Sequence, residues 1–136
     1  MTTGPRFDLP TIEPETKQFW DAAKQGQLML GKCNGCGKLH YYPRPMCPHC
    51  WSEDVAMTPA SGRGVLYTYS TVYVNDLPPF KARLPYVAAS VDLEEGLRVS
   101  TNMVDCAPED LKVGMAVTVK FEAISDDVTI AVFRPA

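Results

Sequence analysis

Cys33-Asn34-Gly35-Cys36 and, ten residues further on, Cys47-Pro48-His49-Cys50 set four thiols in two C-x-x-C pairs. Each pair can wrap one half of a tetrahedral ion, the two-knuckle arrangement of a metal ribbon. Gly35 and Gly37 supply the permissive backbone of a tight knuckle, and Pro48 stiffens the second. Four protein thiolates leave no coordination position for water or substrate, so the ion is expected to be structural, not catalytic. Zinc is the expected metal, with iron, as in rubredoxin, the alternative that a sulfur tetrahedron also admits. His49 lies inside the second knuckle and His40 sits among tyrosines; neither is given a ligand or catalytic role. The fifth cysteine, Cys106, has no activating neighbour in sequence and is expected to pack as a small hydrophobe near a strand end.

The surrounding composition suits a folded soluble chain. Of 136 residues, 46% are hydrophobic and 21% charged, a balance that argues against disorder and allows a small metal-stapled module beside one compact core. A net charge of −3 gives no general attraction for phosphate backbones, which lowers the expectation of nucleic-acid binding. No stretch approaches a membrane span, and Met1-Thr2-Thr3-Gly4-Pro5 lacks the character of a signal peptide. Paired cysteines suit metal ligation in a reducing compartment, and the expected location is the cytoplasm.

Upstream of the first pair, residues 11–26 read as one helix, with Thr11 or Glu13 near its N-cap, Pro14 in the first turn and Gly26 as its stop. Phe19, Trp20 and Ala23 form its apolar face, to be buried against this chain's own ribbon or against a partner. Residues 27–32 read as a strand into the first knuckle. Residues 38–42 read as the returning strand, broken by Pro43-Arg44-Pro45.

Downstream the pattern becomes that of a β domain. Residues 63–74 alternate, with Val65, Tyr67, Tyr69, Thr71 and Tyr73 expected on one face and Leu66, Thr68, Ser70, Val72 and Val74 on the other. A loop at 75–85 with three prolines follows, then a hairpin of 86–93 and 97–104 around Glu94-Glu95-Gly96. Residues 108–112 read as a helical turn, and 115–124 with 128–133 as a final hairpin. Strand, strand, strand, helical link, strand, strand is the order of the OB-fold, a five-stranded Greek-key barrel. The expected organisation is a helix and ribbon over 11–58 and a barrel over 59–136.

No nucleophile, base and orienting group stand where they would plausibly meet. Ser61-Gly62-Arg63-Gly64 precedes a strand and lacks the phosphate-loop pattern, so it marks the start of the barrel. Asp92, Glu94 and Glu95 read as a solvated hairpin tip. The proline loop is different: Leu77-Pro78-Pro79-Phe80 is an apolar wedge accompanied by Lys81 and Arg83, suited to a partner or a ligand carrying phosphates.

Taken together, these residues resemble the family called domain of unknown function 35, a rubredoxin-like zinc ribbon followed by an OB-fold. The resemblance rests on Phe19-Trp20, Gly26-Gln27-Leu28, Cys33-Asn34-Gly35-Cys36-Gly37, Tyr42-Pro43-Arg44 and Cys47-Pro48-His49-Cys50 in the first half. In the second half it rests on Ser61-Gly62-Arg63-Gly64, Pro85-Tyr86-Val87, Gly114-Met115 and Phe133-Arg134-Pro135, so that it covers roughly residues 13–136. One departure is Tyr42, where a proline often precedes the Pro-Arg pair.

The resemblance implies a non-catalytic accessory subunit of a thiolase-superfamily enzyme acting on acyl-CoA thioesters, in a hetero-oligomer where the OB-fold contacts CoA beside the partner's active site. By analogy Arg63, Phe80, Lys81 and Arg83 would touch CoA or partner, and Phe19 and Trp20 would dock on the partner. A zinc-ribbon and OB protein could alternatively bind single-stranded nucleic acid, with Tyr67, Tyr69 and Tyr73 stacking on bases.

Overall fold

A short strand into the first knuckle, a proline-broken approach to the second and a long apolar alternation beyond them produce two β structures packed on one helix. The computed structural model describes residues 9–136. Helix α1 is Lys17–Lys24, shorter than the expected 11–26. The Thr16 hydroxyl accounts for the late start: it accepts from the Glu13 N–H at 3.1 Å and donates to the Glu13 carbonyl at 3.2 Å, holding a turn around Pro14 ahead of the helix. Gly26, at φ +79°, stops α1 as expected, and the Gln27 N–H returns to the Ala22 carbonyl at 3.0 Å.

The ribbon sheet has order β2-β1-β3, with β1 at Met29–Cys33, β2 at Leu39–His40 and β3 at Val55–Pro59. β1 is central and both neighbours run antiparallel to it. The returning strand ends at His40, not at 42, because Tyr41 and Tyr42 turn onto the helix and pack edge-on against Phe19, with ring centroids at 5.9 and 5.1 Å. β3 is absent from the sequence expectations. Val-Ala-Met-Thr-Pro is half exposed and ends in proline, so it carries neither alternation nor a central-strand signature. Only its pairing with β1, from Met29 opposite Pro59 to Cys33 opposite Val55, makes it a strand.

The barrel is closed, in the order β4-β5-β6-β8-β7, with β4 at Arg63–Val72, β5 at Tyr86–Leu93, β6 at Arg98–Met103, β7 at Ala116–Ala123 and β8 at Thr129–Pro135. β4 pairs with β5 along its length and closes the barrel on β7 through Arg63, Gly64 and Val65. β6 and β8 meet in parallel at Met103 and Phe133. This is the five-stranded Greek-key architecture expected for an OB-fold. Its interior is apolar: Leu66, Val91, Val117 and Phe133 are among the most deeply buried side chains. The 3₁₀ link Pro108–Asp110 delivers Leu111 into the core.

The expected alternation of β4 is corrected. A bulge at Tyr67, between Leu66 opposite Val91 and Thr68 opposite Ser90, reverses the inward face partway along the strand. Before it Leu66 points inward and Val65 and Tyr67 outward; after it Tyr69 turns inward and donates its hydroxyl to the Leu111 carbonyl at 3.0 Å.

Phe19 and Trp20 require a second correction. They are 4% and 8% exposed and belong to the same buried cluster as Leu28, Leu30, Leu66 and Phe133. The Trp20 indole N–H donates to the Tyr42 hydroxyl at 2.9 Å. α1 packs on β1 and on the barrel strands β7 and β8, so ribbon and barrel share one continuous core through this helix. Both rings pack inside the chain, which removes their apolar area from water.

Candidate metal centre and the two barrel clefts

Both cysteine pairs fold as the same turn. The Gly37 N–H donates to the Cys33 carbonyl and the Trp51 N–H to the Cys47 carbonyl, each at 2.9 Å, and Gly37 and Trp51 both sit at positive φ, +78° and +66°. Gly37 adopts this conformation freely; Trp51 does not, and it is nevertheless 75% exposed. The turns bring the Sγ atoms of Cys33, Cys36, Cys47 and Cys50 within 4.8 Å of one another. Cys33 to Cys50 is 3.5 Å and Cys36 to Cys47 3.8 Å. A tetrahedron with metal–sulfur bonds of about 2.3 Å has edges of about 3.8 Å, so the donor set fits a four-coordinate ion.

Electrostatics agree with ligation. The Cys36 N–H, 3.3 Å from the Cys33 sulfur, is the main cause that holds the Cys33 thiol down to about 6. Burial opposes ionisation of Cys47, but the N–H groups of Cys50 and His49 outweigh it and lower that thiol too. The Ser52 N–H favours a Cys50 thiolate, yet hydrogen bonding with Cys33, burial and the other two thiols push Cys50 up to about 11. Four thiols this close repel one another as thiolates, and a cation among them removes that repulsion. His49 stands outside the ligand set, with its Nε2 3.2 Å from the Leu39 carbonyl. Asn34 and Asp54 clasp the outside of the ribbon through their side chains at 3.1 Å.

The proline loop contains a short helix, α2, at Pro78–Lys81, where only loop was expected; two prolines at its start are compatible with the first helical turn, where no N–H is needed. The Asn75 side chain accepts from the Leu77 N–H at 3.0 Å and donates to the Tyr86 hydroxyl at 3.2 Å, tying this loop to β5. Phe80 and Arg83 are brought together, with the guanidinium 5.7 Å from the ring centroid. They overhang a cleft of about 600 Å³ walled by Tyr86, Met103, Cys106 and Ile130. Cys106 is part of the apolar packing there, and burial, then Asp110 and Asp105, push its thiol up.

Arg63 belongs to a different place. It lines a second cleft of about 580 Å³ with Asp92, Glu94, Thr118 and Arg134, and grips Glu94 through two hydrogen bonds at 2.9 and 3.1 Å. The pairing holds the Glu94 carboxyl below its ordinary range. Lys81 is exposed and lines neither cleft. Of the four candidate contact residues, Phe80 and Arg83 line one cleft and Arg63 the other.

The hairpin acids are more structured than a solvated tip. Arg98 binds Asp92 at 2.7 and 3.2 Å, lowering that carboxyl, and lies over the Tyr67 ring at 3.3 Å from its centroid. Tyr67 is 47% exposed beneath the Arg98 guanidinium, Tyr73 is 70% exposed and Tyr69 faces inward between them, so the three form no common platform for stacking bases. No helix among the described residues is long and apolar enough to cross a membrane.

A tetrahedral cysteine ribbon run directly into a five-stranded Greek-key barrel defines a ribbon-plus-OB protein. Two family descriptions match it in that order: the rubredoxin-like zinc ribbon domain of ChsH2 over residues 20–56 and the C-terminal OB-fold domain of ChsH2 over residues 57–122. The chain belongs to this ChsH2 family, the family of domain of unknown function 35. It is 38% identical over 127 residues to a probable enoyl-CoA hydratase alpha subunit of Thermomonospora curvata, covering 93% of this chain and 39% of that protein. It is 41% identical over 68 residues to the benzoylsuccinyl-CoA thiolase subunit BbsA of Geobacter metallireducens, covering 50% of this chain and 44% of the relative. The matched segments cover 39% of the first relative and 44% of the second. Among solved structures it is similar to an Ltp2-ChsH2(DUF35) aldolase, with a TM-score of 0.82 and 37% identity over 93% of this chain and 98% of the other.

Proposed function

We propose that this chain is a non-catalytic accessory subunit of a thiolase-superfamily enzyme acting on acyl-CoA thioesters. It docks on that enzyme and carries the Phe80–Arg83 cleft to the shared interface, where CoA binds. The observation that carries this reading is the near end-to-end structural match to a chain of the Ltp2-ChsH2(DUF35) aldolase, supported by relatives named as subunits of CoA-thioester enzymes. The cleft supplies the chemistry: an apolar wall for a pantetheine or acyl chain and, at its mouth, a guanidinium for a phosphate. Lys81 adds charge to the same loop, and Arg63, held by Glu94, contributes only where a stronger anion displaces that carboxylate.

The metal is zinc, bound by Cys33, Cys36, Cys47 and Cys50, whose role is to fold the ribbon; iron would fit the same donors. Residues 11–58 form the helix and ribbon unit and 59–136 the barrel. The assembly is cytoplasmic in this reading, which the pairing of the cysteines for a metal and not for disulfides supports.

The test is recovery of the tagged chain from its native host, with mass spectrometry of copurifying chains and metal analysis of the same sample. A thiolase-family enzyme with about one zinc per chain is the expected result. Recovery of nucleic acid without such an enzyme would overturn the proposal. In the recovered assembly, Arg83→Ala should raise the KM for the CoA thioester while leaving kcat close to wild type, because the residue binds but does no chemistry.

A further inference from the structure

One buried group away from the metal and the clefts lacks a partner. His40, at the end of β2, is 3% exposed, and neither ring nitrogen meets a hydrogen-bonding group of the described residues. Buried polar groups nearly always have such a partner. The ring lies over Gly31, its cross-strand neighbour on β1. A Cβ at position 31 would fall on the imidazole, so glycine there is what admits the ring.

His40 and Gly31 line a pocket of about 220 Å³. Glu15, in the turn before α1, Gln18 of α1 and Arg44, from the segment after β2, also line it, with Val55 and Met57 of β3 as its apolar part. The geometry points to this pocket as a binding site for a single carboxylate, held between the His40 ring and the Arg44 guanidinium.

Charge and shape select that ligand. Burial, and beside it the Arg44 charge, disfavours the imidazolium, and a neutral ring carries one N–H donor. Arg44 forms none of the ion pairs found among the described residues, and its planar fork matches a carboxylate in two-point contact. The Gln18 amide offers a further donor. Glu15, the one acid lining the pocket, already draws on the single Arg44 charge, so the site tolerates only the smallest anionic charge. A phosphate dianion against Val55 and Met57 would bring more charge than that cation can balance. A free organic acid and an acidic side chain of a docked protein present the same group.

Titration of the full metal-loaded chain with sodium acetate, read from the ring ¹⁵N and ¹³C resonances of His40, tests the site. A saturable shift is expected, absent with sodium chloride or sodium phosphate at equal ionic strength. Arg44→Ala, at an exposed position, should stay folded and weaken acetate binding about tenfold or more, the loss of one charge-assisted contact. A non-saturating response, or an equal response from Arg44→Ala, overturns the proposal. Repeating the titration on the assembly with the copurified enzyme separates the sources. A retained acetate response identifies a free acid as the ligand, whereas His40 resonances already at the bound position and insensitive to acetate identify a carboxylate of the partner. The readout on the isolated chain stands whether or not that enzyme proves to be a thiolase.

Discussion

The ribbon and the barrel are both antiparallel β structures, yet they are held together by different forces. The ribbon has a three-stranded sheet whose strands are five, two and five residues long, and its fixed points are four sulfurs and a clasp of turns. The barrel has five strands of six to ten residues around a filled apolar interior. A small sheet cannot bury enough area to order itself, so ligand bonds replace burial; a closed barrel can. The helix α1 complicates the contrast, because Phe19 and Trp20 join the two regions into one core.

The largest expected effect breaks the ribbon alone. Cys47→Ser, or removal of the metal by chelation, should abolish the ribbon fold, since structural zinc sites in small domains contribute on the order of 10 kcal/mol. Amide exchange should then lose protection at β1 to β3 while β4 to β8 stay protected. Loss of protection in both would show that the barrel, too, depends on the metal. Phe19→Ala tests the joint: truncating a buried aromatic costs about 3–5 kcal/mol. Denaturant unfolding should report that loss in ribbon and barrel probes together, with the metal still bound; a loss confined to the ribbon would mean that the helix is not a true bridge. The smallest effect sharpens the comparison between knuckles. Trp51→Gly replaces a side chain held at φ +66° by the residue that the first knuckle uses at the matching place. It should stabilise the free chain by about 1 kcal/mol, seen as a higher thermal midpoint. Destabilisation instead would show that the exposed indole makes contacts that matter within the ribbon.

The two regions were also legible to different degrees. The metal site can be read from spacing because C-x-x-C closes a local turn, and the structure brings the same four sulfurs together. The barrel can be read from alternation and turn residues, and its five strands lie close to their expected bounds. β3 escaped notice because a half-exposed strand ending in Pro59 has no periodic signal of its own. The Tyr67 bulge escaped because an extra residue changes which side chains face inward without changing composition. His40 looked like an ordinary strand histidine; the glycine opposite it, nine positions earlier, gains meaning only through the register that pairs them.

By itself the sequence determined the ligand set, the order of the elements and the class of fold, since those follow from local turn chemistry and from the period of the apolar residues. Only the tertiary structure decided what the apolar helix face is for, which of Arg63, Phe80, Lys81 and Arg83 share a cleft, and that His40 faces a pocket. Each of those is a relation between segments distant in the chain. Burial and pairing across such distances depend on how the elements pack, and no local pattern encodes it.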